Sequence, residues 1–537
     1  MSKIRQFSLA VAAGSWFAAG ALAQTAAPDA AACPARPQPG SAIHNPADLT
    51  SQNGVLNAAF TLRSVVQESG FQQDCYIYKT GKGAVEAPTL RLNPGDTLKL
   101  SLTNRLTYSP PPPPSRSGAM AHMMSAAPSA TACAGGPLIA TSTNIHFHGL
   151  NVPPTCHKDD VLTTDIANTD PPFHYDFAIP KNDPPGLYWY HPHLHGETTL
   201  QVNAGAAGAL IINGIEKFRP EVARLPERVF VIRQQFPGGV WLPGPYELTV
   251  NYQPANFPNF PAPVLNVKPG VQEFWRVANA TTQAFLKLQV WSGTKPQSLE
   301  VVALDGIPLA QTVNQNTIEI PPAGRAEFIV TTPAAGAVAS FQNLSYNTGS
   351  IGNANLAEEL ARIVSSTGAE EPPALPAATP APATPQRFAG LADATVTARR
   401  KLYFAEATSG SNGPTEFLMG VEGIIPKVFS PADPPAIVTK VGAVEDWTVE
   451  NRTGETHAFH IHQIHFLYLE LNGKKLPNPA LRDTVIVPFW NGTGPYPSVK
   501  LRMDFREPQI AGTFVFHCHV LEHEDYGMMQ KIEVDPK

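Results

Sequence analysis

Residues 95–104 (GDTLKLSLTN), 270–279 (GVQEFWRVAN) and 442–451 (GAVEDWTVEN) carry one alternation of apolar and polar positions, opening on glycine and closing on asparagine. Apolar side chains fall at matching offsets: Leu100 and Leu102, Trp275 and Val277, Trp447 and Val449. Residues two apart on an extended chain share a face, so the alternation predicts a strand with one buried side. The stretches begin 175 and 172 residues apart. Repetition at domain length, in a chain of short apolar runs punctuated by Pro and Gly, predicts three related β-sandwiches.

Composition sets the boundaries: a first copy over 40–213, a second over 225–346 and a third over 399–537. Residues 347–398 are expected to be a linker, with a short helix-like piece (ANLAEELARIV) followed by an extended, semi-rigid tether (PPALPAATPAPATP). A low-complexity insert, 109–136, interrupts the first copy. Residues 1–23 have a basic start (Lys3, Arg5), an apolar middle and Ala21-Leu22-Ala23, which predicts a cleavable signal peptide and a periplasmic or secreted protein. The apolar run is short and interrupted, against a membrane anchor. Cys33, Cys75, Cys133 and Cys156 can form two disulfides in any of three pairings, while Cys518 stands alone. A net charge of −6 argues against nucleic acid as a partner.

Histidine placement changes the picture most. None occurs between His195 and His457, so the middle copy holds none. The outer copies hold four His-x-His pairs: His146/His148, His191/His193, His460/His462 and His517/His519. The contexts GLYWYHPH and GTFVFHCH share glycine, aromatics at matching positions, and then the pair. On a strand each pair turns both imidazoles to one side. Two such strands from each outer copy, set face to face, would present eight imidazoles to one cavity. Eight are too many for one ion, and about three ions of the kind imidazole favours account for the number.

If His517 and His519 face that cluster, Cys518 between them faces the other way, where it can join His457, His523 and Met528. A His₂Cys set with a weak thioether marks a blue-copper electron-transfer site. The crowding in FVFHCHVLEHEDYGMM would then be a wire, with the thiolate on one metal and its neighbours on others. In the first copy Thr143, Pro192, Glu197 and Val202 stand where those four ligands stand in the third. The second copy has Phe285, Leu288 and Val290 in place of His457, His460 and His462, which predicts a metal-free spacer.

The runs NIHFHGLNVPP, YWYHPHLHG, HAFHIHQ and HCHVLEHEDYGMM resemble the motifs of the multicopper oxidases, in particular the three-domain bacterial laccase-like and cuprous-oxidase-like members. The resemblance covers essentially the whole mature chain. It implies an all-β protein of three cupredoxin-like Greek-key sandwiches holding four copper ions: one type 1, one type 2 and two type 3. Carried over position by position, the type 1 ligands are His457, Cys518, His523 and Met528, and the type 2 ligands His146 and His460. One type 3 ion takes His148, His191 and His519, the other His193, His462 and His517. Ala458 replaces a proline common in the third motif, at a position that is not a ligand.

The implied reaction takes one electron from each of four donor molecules, phenols, aromatic amines or metal ions such as Cu(I), and reduces O2 to two waters. By the same resemblance Glu524 looks like a proton donor and Asp159 with Asp160 like a second proton route. Some members carry an acid four residues before the first type 1 histidine to hold the donor; here that residue is Thr453. His195 and His465 match no metal position and are expected to pack beside the ligands, and His44, His157 and His174 are given no role. Met120, His122, Met123 and Met124 supply soft sulfur suited to Cu(I), but within low-complexity sequence. A cuprous oxidase with little phenol activity is the nearest alternative. A copper-free scaffold is disfavoured by the complete ligand set, and a two-domain nitrite reductase by the third copy and the His191/His193 pair. Both halves of the cluster lie in one chain, so a monomer suffices.

Overall fold

Each repeated segment forms an interior strand of a sheet, Thr97–Arg105, Gln272–Ala280 and Ala443–Asn451, with a parallel neighbour on one side and an antiparallel neighbour on the other. The asparagine at its end explains why the pattern stops there. Asn104, Asn279 and Asn451 are buried. Each donates its side-chain amide to carbonyls of the following loops and accepts the backbone N–H two residues on. Two of the strands share a second device. Trp275 and Trp447 donate their indole N–H to Glu273 and Glu445, at 2.8 Å each, and Arg228 and Arg400 hold those carboxylates. Charge-assisted bonds of this kind contribute about 1.5–3 kcal/mol each.

The computed structural model describes residues 33–66, 72–107, 132–135, 139–235, 247–255, 260–378, 387–408 and 415–537. Among them six sheets pair into three sandwiches of five and five, seven and six, and six and five strands. Each sandwich encloses its own apolar core. No helix among the described residues is long and apolar enough to cross a membrane. The disulfides left open by the sequence are Cys33–Cys75 and Cys133–Cys156. The proposed signal peptide and the Met120–Met124 cluster lie outside the described residues.

Two boundaries need correction. The helix-like piece is instead a strand, Glu358–Ser365, antiparallel to Ala339–Asn343 and parallel to Val264–Val267. Its Ala, Glu and Leu favour helix, but Leu360, Ala361 and Ile363 fill the second core, and two open strand edges supply partners. The second domain therefore extends to Ser365 and the linker begins after it. The early part of the Pro/Ala-rich run is tied down rather than free: Glu227 donates its N–H to Pro373, and Leu375 to Leu225. At the other end, Ile43 belongs to the second core and pairs with Val264, so the chain crosses the second domain before it builds the first.

The first and second domains meet on a shared apolar layer. Strand Gly186–His191 turns Tyr188 and Tyr190 into its own core, and Leu187 and Trp189 against Val229, Val231, Ala278 and Ala323. Gly186 starts this strand where the chains touch. A Cβ there would lie 2.3 Å from the Gly306 carbonyl oxygen. Gly186→Ala is accordingly expected to destabilise the junction by about 1–3 kcal/mol and lower the melting temperature. Gly81→Ala, where a Cβ meets nothing within 4 Å, should leave the melt unchanged in the same thermal scan.

Candidate metal centre

The four histidine pairs lie on, or just past the ends of, two equivalent pairs of neighbouring antiparallel strands. In the first domain His146–His148 runs antiparallel to Gly186–His191, with His146 opposite His191. In the third, His457–Ile461 runs antiparallel to Gly512–Cys518, with His460 opposite His517 and Phe459 opposite Cys518. Alternation along both third-domain strands divides them. Phe459, Ile461, Phe516 and Cys518 belong to the third core. His460, His462, His517 and His519 turn away from it, toward the first domain. The structure thus brings all eight paired imidazoles into one buried space, none more than 2% exposed.

Three nitrogens meet closely there: His193, His462 and His517 Nε2 lie 3.1–3.3 Å apart. His146 stacks on His462 at 3.8 Å and His148 on His460 at 4.0 Å, so the two domains interleave their rings. His519 faces His148 and His191 at 5.2 and 5.6 Å between centroids. Several of the Nδ1 atoms are occupied. His460, His191 and His517 donate Nδ1–H to the carbonyls of Asp483, Pro192 and Cys518, at 2.9, 2.8 and 2.9 Å. The inner Nε2 atoms of His146, His191, His460 and His519 have no partner. Burial holds these rings neutral: it lowers His517 to about 4, and with neighbouring imidazoles adding to it holds His146, His148, His460, His462 and His519 well below the usual imidazole value. Buried, neutral imidazole nitrogens with free lone pairs are what a divalent or cuprous copper site requires.

On the other face, Cys518 Sγ lies 3.4 Å from His457 Nδ1 and 3.7 Å from His523 Nδ1, and those nitrogens are 3.2 Å apart. Met528 is buried in the same core, its carbonyl accepting the Cys518 N–H. Val520 donates its N–H to the sulfur at 3.4 Å, and Phe417 stacks on His523 at 4.3 Å. His523 sits on a short helix, Leu521–Asp525, that turns it back toward the cysteine. The arrangement suits a thiolate–imidazole site sealed from water on one side.

Further residues complete the surroundings. Thr453, four residues before His457, has its hydroxyl 2.8 Å from His457 Nε2. Two carboxylates reach the same edge from elsewhere: Glu455 Oε1 lies 3.1 Å from His523 Nε2, and Glu406 Oε1 3.8 Å from His457 Nε2. Burial and the repulsion of Glu455 push Glu406 up to about 7, whereas burial of Glu455 is outweighed by the His523 charge, which holds it down at about 2. Glu455 was readable, since it stands two before His457 on an extended run; Glu406, on strand Ala398–Thr408, carried no signal. Asp483, touching His460, His148 and His465, carried none either.

The expected proton-route acids part company. Glu524 is fully buried, 3.2 Å from His517 Nδ1 and 3.6 Å from His193 Nε2, and burial raises it well above the usual carboxyl range. Asp159 faces His146 Nδ1 at 3.0 Å while accepting Phe147 N–H and the Gln463 amide; burial pushes it up to about 8. Asp160 instead accepts the N–H groups of Leu162 and Thr163 and meets no histidine of the cluster. His465 lies 2.9 Å from the Asp305 carbonyl, and His195 packs on Phe429.

Sequence models described as multicopper oxidase match residues 138–217, 189–361 and 405–537. The chain is similar to the multicopper oxidase mco of Staphylococcus aureus, at 23% identity over 89% of this chain and 88% of that one. It is similar also to a laccase of Bacillus subtilis, at 24% identity over 73% and 80%. Among solved structures it resembles the McoA multicopper oxidase of Aquifex aeolicus (TM-score 0.67, 20% identity, 92% and 99% covered). It also resembles a Campylobacter jejuni multicopper oxidase described as a metallo-oxidase (TM-score 0.66, 24% identity, 94% and 96% covered).

Asp159 is the clearest test of ring positioning in the first domain. Asp159→Ala frees both the His146 ring and the Phe147 amide, and is expected to weaken copper binding at the cluster roughly 10–100-fold. Copper titration of the metal-free variant against wild type measures it; the colour contributed by Cys518 should not change.

Proposed function

Because this chain belongs to the multicopper oxidases and is an oxidoreductase that uses dioxygen, we propose that it oxidises a small one-electron donor at the edge of His457 and His523. The single observation that carries this reading is the division of two adjacent strands into a cysteine face and a histidine face. We assign His457, Cys518, His523 and Met528 to a type 1 copper, and His146 with His460 to a type 2 copper. His148, His191 and His519, and His193, His462 and His517, would hold a type 3 pair. Bound copper supplies the one-electron redox chemistry, four single oxidations balancing the four-electron, four-proton conversion of O2 to two waters. The chain's own residues do the rest.

Cys518 and its two flanking histidines make a covalent bridge between the faces. On the donor side Glu455, held ionised, sets negative charge beside His523, and Glu406 adds charge beside His457 as pH rises through about 7. This favours a cation or a donor that gives up a proton with its electron. Metal ions such as Cu(I) and aromatic amines fit that description better than anionic donors. On the oxygen side Glu524, kept protonated by burial, lies against two rings of the cluster and can deliver a proton there. An apolar cavity of about 310 Å³, walled by Val161, Leu162, Phe429 and Val515, reaches His193 and suits passage of an apolar gas. Two disulfides support export to an oxidising compartment. A cluster completed within one chain supports a monomer.

Copper-loaded protein is expected to be blue and to hold about four coppers per chain. In a panel of phenols, aromatic amines, Fe(II) and Cu(I), Glu406→Gln should raise KM for the cations above about pH 7, where Glu406 is ionised, and leave neutral phenols unaffected; equal effects on all donors would remove the charge argument. Glu524→Gln is expected to slow reoxidation by O2 about 10²-fold without changing anaerobic reduction by the donor. Glu524 loses its proton as pH rises through its elevated value, so wild-type reoxidation should decline on that alkaline limb. The glutamine variant should lack it, as stopped-flow measurement across pH would show.

A further inference from the structure

We infer that Arg325, on the second domain that carries none of the proposed copper ligands, is a positioning residue for the type 2 ligand His460, acting through Asp483. The inference rests on the reading that His146 and His460 hold an ion. Arg325 opens strand Arg325–Thr331 and is fully buried. Its guanidinium touches all three domains. Nη1 and Nη2 donate to the two Asp483 oxygens of the third domain at 2.8 and 2.6 Å, and Nε donates to the Leu187 carbonyl of the first at 3.2 Å.

Asp483 lies between strands Lys474–Arg482 and Thr484–Val487, directly behind the cluster. Its main-chain carbonyl accepts His460 Nδ1–H at 2.9 Å. Its Oδ1 accepts the Thr484 hydroxyl at 2.9 Å, and that hydroxyl is 3.3 Å from the same His460 nitrogen. Oδ1 also lies 3.4 Å from His148 Nε2. His460 Nε2 has no partner and faces the other rings, so the hydrogen bonds that fix its rotation all come from the Asp483 side, with the stacked His148 ring against its face. The first domain closes on the pair too. Gly149, next to His148 and at φ +88°, would place a Cβ 2.7 Å from both Arg325 Nη2 and Asp483 Oδ2.

A planar fork holds a carboxylate in one plane through two parallel bonds, which a lysine cannot reproduce. Without the fork, buried Asp483 must find other donors, and His148, His465 and Thr484 are the groups beside it. Each choice turns a ring or frees a neighbour of His460. A plain interdomain staple would behave differently, weakening the fold without singling out one copper. Arg276, buried in the second domain against Glu227 and Glu327 and making no hydrogen bond or ion pair with a proposed ligand, supplies the control.

The experiment compares copper-loaded wild type, Arg325→Lys, Asp483→Asn and Arg276→Lys by electron paramagnetic resonance, metal analysis and thermal melting. In both Arg325→Lys and Asp483→Asn the type 1 signal is expected to persist while the type 2 signal changes. A chelator should strip type 2 copper at roughly tenfold lower concentration than in wild type. Arg276→Lys should lower the melting temperature and leave both signals alone. Asp483→Asn keeps the main-chain carbonyl on His460, so it carries the test should Arg325→Lys not fold. An unchanged type 2 signal and chelator resistance in the folded variants would overturn the inference, as would parallel loss of both signals with stability. A wild type without any type 2 signal would sink the ligand assignment itself.

Discussion

Successive side chains of a β-strand face opposite ways, and two hydrogen-bonded strands in register share the same division. In the third domain this places Phe459 opposite Cys518 and His460 opposite His517. One layer of backbone then separates a sulfur-containing site in the core from an imidazole cluster at the domain boundary. Neither site could shift by one residue without exchanging faces with the other. The register is held from both sides, by the Thr484–Val487 strand and by Met529–Asp535, and the second of these also returns Met528 to the cysteine. Strand pairing, rather than any one ligand contact, is what the candidate chemistry depends on.

Electrostatics follow from where that boundary lies. A cluster of rings no more than 2% exposed would repel itself if charged, and burial keeps them neutral. The compensating acids stand outside the ring of nitrogens: Asp159 behind His146, Asp483 behind His460 and His148, Glu524 behind His517 and His193. Asp159 meets His146, and Glu524 meets His517, at Nδ1, and the Asp483 carbonyl takes Nδ1–H of His460. These contacts orient the three rings and leave their Nε2 atoms to the cluster, while Glu524 also approaches His193 Nε2. Protonation of the acids differs with partner. Asp483 faces a guanidinium that outweighs its burial and stays ionised, whereas Glu524 and Asp159 have no cation against them and are raised.

The repeat, the His-x-His pairs and the alternation of Cys518 were legible in the sequence because each depends on spacing within a single strand. The convergence of four pairs followed from counting nitrogens against what one ion can use. Features made by packing between domains were not legible. Glu406 and Asp483 come from strands distant in sequence and have no spacing relation to the ligands they meet. The run ANLAEELARIV misled because helix propensity was read without the open edges of Ala339–Asn343 and Val264–Val267, which decide its conformation. The disulfide pairing was undetermined for a related reason: four cysteines in the first third carry no register until the chain is folded.

The middle domain is where the repeat is most altered, and its substitutions have a structural use. Phe285, at the position of His457, packs into the third domain's core and stacks on Tyr346, so the lost ligand position became part of the seam. On its other side Val229, Val231, Ala278 and Ala323 receive Leu187 and Trp189 from the strand that ends in His191. Trp189 in turn stacks on His191 at 4.1 Å. The second domain thus backs a ligand-bearing strand of the first and part of the core of the third. A cluster whose halves lie on separate domains is only as well defined as the angle between them. Through its apolar packing surfaces and Arg325, the middle domain holds both halves from behind.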